Sequence, residues 1–192
     1  MRGRGPVILA GEAHDTTAYF LLDYRTTLCY TIEKGVPLMG MDVYGINPVI
    51  KEYSVKPVRP DWTTATEAEK SVYFEAKQQY DAENPGVYFR ANCWSWRPIH
   101  DRVYQADREC DLCIDEKTLE LMGENSGAGL DNQEDCDRLA EALENVLERE
   151  DDILTWNCGD PKADREGWYK AHKEHALEFV DFLRECGGFE VC

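Results

Sequence analysis

The sequence is short of cations and has no long apolar run. Its 21 Lys and Arg stand against 38 Asp and Glu, a formal net charge of −17 over 192 residues. An acidic surface of this kind repels phosphates, which disfavours direct nucleic-acid binding, and it suits basic partners. No stretch approaches the ~20 apolar residues that a membrane-crossing helix needs. The start, Met1 to Gly11, holds Arg2 and Arg4 but an apolar run of only Val7 to Ala10, too short for the core of a secretion signal. A cytoplasmic protein without membrane association is expected. Its eight cysteines are then expected as reduced thiols rather than a disulfide framework. Internal repeats and low-complexity tracts are missing as well.

Several chemical signatures are also missing. Cys110-Asp111-Leu112-Cys113 is the one C-x-x-C, and a zinc ribbon needs a second. Gly123, Gly127 and Gly129 precede a helical pattern, as the glycines of a phosphate loop do. No Lys follows them, and Asp131, Glu134, Asp135 and Asp137 would repel a phosphate there. A plain connecting turn is expected. No catalytic triad pattern and no H-E-x-x-H occurs. No cofactor is predicted, catalytic residues stay unassigned, and a non-enzymatic role is favoured.

What is present argues for a folded chain. The hydrophobic fraction is 43% and the aromatic fraction 11%, and the length suffices for one domain with a real core. Residues 1–38 read as an N-terminal extension or small β element ahead of a domain spanning 39–192, with Met39 and Met41 as alternative starts and His14 as a loop residue. Met41 to Ile46 alternates like a half-buried strand. Asp42 within it reads either as an edge-strand residue facing water or as a paired carboxylate near a site. Thr66 and Glu69 match a capping box, and Ala68, Val72, Ala76 and Tyr80 mark one helical stripe to about Ala82. Asn84-Pro85-Gly86 stops that helix.

Residues 86–101 are the densest stretch, with Tyr88, Phe89, Trp94 and Trp96 beside Arg90, Arg97 and His100. Residues 87–96 favour a strand, which pairs with 42–46, and a helix is predicted from Pro98. Ile99, Val103, Ala106, Cys110 and Cys113 fall on one face of it. The two cysteines therefore read as core packing, with metal binding or redox chemistry as the alternatives. Asp131 and Glu134 are a plausible cap pair for the next helix, whose buried face is Cys136, Leu139, Ala140, Leu143, Val146 and Leu147. Residues 151–164 read as turn material. A last helix is predicted from about Asp164 to Cys186, with Trp168, His172, His175, Phe179, Phe182, Leu183 and Cys186 on one face. Gly187 and Gly188 end it, and Phe189 to Cys192 alternates as a terminal strand.

Three ordered motifs stand out: Gly40-Met41-Asp42-Val43-Tyr44-Gly45; Gly86-Val-Tyr-Phe-Arg-Ala-Asn followed by Trp94, Trp96, Arg97 and Pro98; and Phe182-Leu-Arg-Glu-Cys-Gly-Gly-Phe-Glu-Val-Cys192. Over residues 40–192 the chain resembles a family of uncharacterised bacteriophage and bacterial proteins that carry these landmarks. The resemblance implies action in the cytoplasm of a bacterial or phage-infected cell and supplies no activity or site residues. Some relatives carry a paired C-x-x-C insert that would hold zinc, which this sequence lacks.

The expected fold is α+β: a small antiparallel or mixed sheet from 41–46, 87–95 and 189–192, covered by three or four helices in a single domain. The favoured function is an accessory, protein-binding module that meets a basic host or phage protein. Residues 107–152, with 17 Asp or Glu against four Lys or Arg, are one candidate surface, although charge runs are usually solvated helix faces. Trp94, Trp96 and Arg97, with His100, Arg90 and Asp42, are the other, with core filling as the alternative for the tryptophans. The competing reading is a metal-dependent or His/Asp enzyme whose pocket near 88–101 gathers Asp42, Arg90, His100, Asp101, His172 and His175. In that reading His172 and His175 are the candidate metal ligands.

Overall fold

The computed structural model describes residues 40–162 and 167–192. The expectations for residues 1–38, including His14 and the alternative start at Met39, lie outside the described residues.

The chain is α+β, as expected, with a four-stranded antiparallel sheet and a two-stranded one. In order, the elements are β1 (Gly40–Gly45), α1 (Glu67–Glu83), a 3-10 turn (Pro85–Val87), β2 (Tyr88–Asn92), α2 (Cys93–Cys110), α3 (Glu116–Met122) and β3 (Ala128–Leu130). Then come α4 (Gln133–Leu147), β4 (Ile153–Thr155), β5 (Lys170–His172), α5 (Lys173–Glu185) and β6 (Phe189–Val191). The main sheet runs β2-β1-β6-β3. β1 pairs with β2 in the register Gly40↔Asn92 to Tyr44↔Tyr88, and with β6 from Val43↔Val191 to Gly45↔Phe189.

Alternation decides which face is covered. Met41, Val43, Phe89, Ala91, Phe189 and Val191 are buried. Asp42, Tyr44, Tyr88, Arg90 and Glu190, one residue out of phase, are half-buried or exposed. On the buried side α2 supplies Trp96, Ile99 and Val103, α4 supplies Leu139, Leu143 and Leu147, and α5 supplies Phe179, Phe182 and Leu183. Each such fully buried Leu or Phe contributes about 2 kcal/mol, so this packing holds the three helices on the sheet. Among the described residues no helix is long and apolar enough to cross a membrane.

Helix starts follow local chemistry. Both bonds of the Thr66–Glu69 capping box are present. Of the stripe predicted for α1 only Tyr80 is buried, and α1 is reached through an arm whose Val55 and Val58 are 84% and 90% exposed. α4 is capped by Asn132, which accepts from Asp135 N, one residue after the predicted Asp131. Its predicted buried face is the observed one.

Four expectations are corrected. First, α2 begins at Cys93, not Pro98, because the Asn92 side chain accepts from both Trp94 N and Ser95 N at 3.0 and 2.9 Å and so satisfies two orphan donors. Pro98 lies inside the helix, where it removes the bond to the Trp94 carbonyl at a cost of about 3 kcal/mol. Burial of Pro98 with Trp96 and Ile99 offsets that cost.

Second, Cys110 and Cys113 are exposed. α2 ends at Asp111, which takes a left-handed φ of 50°, and Cys113 has φ 62°, so the buried stripe stops at Ala106. Third, the glycine segment is not only a turn: Ala128–Leu130 joins the sheet beside β6. A β-carbon at Gly129 would lie 1.8 Å from the Phe189 carbonyl oxygen, so only glycine admits the neighbouring strand so closely.

Fourth, residues 153–155 and 170–172 are paired strands, where turns and part of the last helix were expected. β4 pairs with β5 in the register Ile153↔His172 to Thr155↔Lys170, and α5 starts at Lys173 with His172 at its N-cap. Arg102 fastens this strand pair to α2: it contacts Asp101 and Glu150 and donates to the Thr155 carbonyl at 2.9 Å. Trp156 and Tyr169 meet Trp94 and Trp168 in a second, smaller apolar cluster around Cys158.

Candidate functional site

A cleft of about 580 Å³ opens beside β2, lined by Arg90, Asn92, Ser95, Lys170, Ala171, His172 and His175. Small-molecule pockets span ~300–1,000 Å³. β2 is the outermost strand on its side of the sheet, and Arg90 and Asn92 are two residues apart on its polar face. Ser95 comes from the first turn of α2, where its hydroxyl donates to the Asn92 carbonyl at 3.2 Å. Lys170 and His172 point outward from β5 on either side of buried Ala171. His175 comes from the first turn of α5. Its ring stacks on Phe89 at 4.8 Å between centroids, and Nδ1 lies 2.7 Å from Glu178 Oε2.

Electrostatics set this cleft apart from the rest of the molecule. Among the described residues its wall holds a guanidinium, an ammonium and two imidazoles and no carboxylate, in a chain of net charge −17. Two acids contact the wall residues: Asp42 is 3.7 Å from Arg90 Nε, and Glu178 contacts His175. Lys170 and His172 have no acidic partner within ion-pair distance among the described residues. His172, the cap residue of α5, makes no side-chain capping bond, and the start of that helix is answered by Glu174 in its first turn and by the Asp152 carbonyl, which accepts from Lys173 N at 2.8 Å.

Asp42 lies on the inner strand β1, not at an edge. It accepts a hydrogen bond from the Tyr88 hydroxyl and pairs with Arg90. Burial, then the bond to Asp42 and the Asp42 charge, push the Tyr88 phenol well above its ordinary range. Tyr88 is thus a donor at neutral pH and not a phenolate.

The other sequence candidates separate. Trp96 is 1% exposed and its indole N–H donates to the Met122 carbonyl at 2.9 Å. It fills the core, which corrects its assignment to a contact surface. His100 is buried too. Its Nε2 is 2.7 Å from the Leu119 carbonyl oxygen, and burial, aided by Arg97, lowers its pKa to about 4. At neutral pH it is an uncharged imidazole whose Nε2–H donates to that carbonyl. Neither His100 nor Asp101 lines the cleft. Trp94 is half-buried against Trp168 and Tyr169 at 5.5 and 5.0 Å, and Arg97 is half-buried.

Of the set proposed for a pocket, the structure therefore gathers Arg90, His172 and His175, places Asp42 beside Arg90, and leaves out His100 and Asp101. Among the described residues no group of three or more His, Cys, Asp or Glu side chains is arranged to hold a metal. Sequence reasoning missed Asn92, Ser95 and Lys170. The one signal for Lys170 was the period-two pattern Lys170-Ala171-His172. Comparison with protein families, curated proteins and solved structures finds no match to this chain.

Proposed function

We propose that the protein is a non-enzymatic binding module that docks a basic protein segment along the outer face of α4. The observation that carries this reading is a row of carboxylates. Glu134, Glu141 and Glu148 are exposed, seven residues apart, on the side of the helix opposite Leu139 and Leu143. They have no cationic partner within ion-pair distance among the described residues, and Arg138 contacts Asp135 instead. At 1.5 Å per residue the row is about 21 Å long.

Local physics works against this arrangement. Asp137 with Glu141 and Glu144 with Glu148 are like charges four apart, each pair costing about 0.2–0.5 kcal/mol. The last turn of α4 holds no cation of its own, and Arg149 just beyond the cap donates to the Asn145 carbonyl at 3.1 Å. The buried leucines outweigh these terms, so the helix tolerates a face that a basic partner would neutralise. Nucleic-acid phosphates would be repelled from it.

The setting we propose is the cytoplasm of a bacterial or phage-infected cell, on the strength of the motif resemblance. Those motifs coincide with β1, with β2 running into α2, and with the end of α5 and β6. The enzyme reading has less support, because His100 and Asp101 lie away from the cleft that holds Arg90, His172 and His175.

Capture from a bacterial lysate on immobilised protein tests the docking face. Wild-type protein is expected to retain basic proteins at low salt and release them as salt rises. A Glu141→Lys/Glu148→Lys variant is expected to retain none of them. Equal retention by that variant contradicts the reading.

A further inference from the structure

We propose that the cleft between β2, β5 and the start of α5 binds a small molecule carrying a terminal phosphate. The site is distinct from the α4 face and does not depend on it.

The argument starts from what the wall offers. Arg90, Lys170, His172 and His175 are donors that carry or can carry positive charge. Asn92 spends its side-chain oxygen on Trp94 N and Ser95 N, which leaves its amide N–H₂ as the unspent group. Among the described residues no carboxylate lines the cleft, although the chain has 38 Asp and Glu. The fixed charges of Arg90 and Lys170 disfavour a metal cation here and match a ligand rich in acceptors. A phosphate monoester presents three acceptor oxygens and up to two negative charges, and guanidinium meets it with paired N–H groups.

Size refines the ligand. A cleft of about 580 Å³ far exceeds one phosphate group, so an organic body accompanies the anion. Charge refines it further. The field of a −17 protein repels a polyanion along its whole length, whereas a small ligand enters with one or two charges and meets the local cations at short range. Asp42 and Glu178 contact Arg90 and His175 and hold those side chains at the wall.

The test uses the full chain and adenosine 5′-monophosphate, inorganic phosphate and a short DNA duplex as probes at constant ionic strength. Binding is followed by calorimetry and by the imidazole NMR signals of His172 and His175. Adenosine monophosphate is expected to saturate in the millimolar range or below, shifting both imidazoles, while inorganic phosphate binds more weakly and the duplex weakest. Arg90→Gln and Lys170→Gln, both at exposed positions, are each expected to weaken binding roughly tenfold, the loss of one charge-assisted bond, with unchanged thermal unfolding. Absence of saturable binding by adenosine monophosphate overturns the proposal. So does undiminished affinity in both variants, or a duplex that binds more tightly than the mononucleotide.

Discussion

Asp42 and Arg90 face each other across the β1–β2 pair, with Arg90 Nε 3.7 Å from the carboxylate. The same carboxylate accepts the Tyr88 hydroxyl. Arg90 is 66% exposed at its side chain, and pairs of this kind contribute at most ~1 kcal/mol. Asp42 therefore organises the polar face of the sheet more than it stabilises the fold.

Asp42→Asn is expected to leave stability within about 1 kcal/mol of wild type while moving the Tyr88 phenol part of the way back toward its ordinary range. Burial, the largest cause of the upward shift, remains, and the hydrogen bond to a charged acceptor and the Asp42 charge are removed. Difference absorbance titration against Tyr88→Phe reads the change. An unmoved Tyr88 would show that burial alone holds the phenol up.

His100 gives the fold a pH dependence of defined sign. Its folded pKa of about 4 lies below the ordinary 6.5, so between these values the unfolded chain binds the proton and the folded one does not. Stability then rises with pH across this window. The His100 contribution is fully present above about pH 6.5 and is lost as pH falls toward 4. At about 1.4 kcal/mol per unit the loss is on the order of 3 kcal/mol. Urea unfolding at a series of pH values is expected to show a drop over this range that His100→Gln reduces. An identical slope in wild type and variant would remove His100 as its source.

Gly86→Ala is expected to destabilise the protein by about 2 kcal/mol or more, through overpacking. A β-carbon there would lie 2.1 Å from the Glu185 carbonyl oxygen. That atom is backbone at the end of α5 and cannot swing aside as a long side chain would. Chemical denaturation measures the effect. A neutral substitution would mean that the 3-10 turn and α5 separate without cost.

Strong local signals in the sequence correspond to observed elements. The Thr66–Glu69 box and the buried face of α4 are present, and the expected pairing of 42–46 with an 87–96 strand is present in shorter form, from Gly40↔Asn92 to Tyr44↔Tyr88. Each rests on several residues with one period or on a cap whose partners lie three residues apart. What escaped was decided partly by local competition and partly by tertiary contact. A cap at Asn92 outweighed the proline signal at Pro98. The three-residue strands β3, β4 and β5 show one alternation at most, too little to identify a strand, and exist because a partner strand lies beside them. Cys110 and Cys113 continue a helical spacing that a left-handed Asp111 cuts off. Arg90, His172 and His175 were legible as candidates, but their meeting in one cleft was not. It depends on the β4–β5 pair that carries Lys170 and His172 to the edge of the sheet.

The most direct test of the docking face is a titration of the protein with a lysine-rich peptide long enough to span the ~21 Å row, in wild type and in Glu134→Gln/Glu141→Gln/Glu148→Gln. Wild type is expected to bind with an affinity that falls steeply as salt rises, and the triple variant to lose both most of the affinity and most of the salt dependence. Equal affinity and equal salt dependence in the two proteins would contradict a docking role for the outer face of α4.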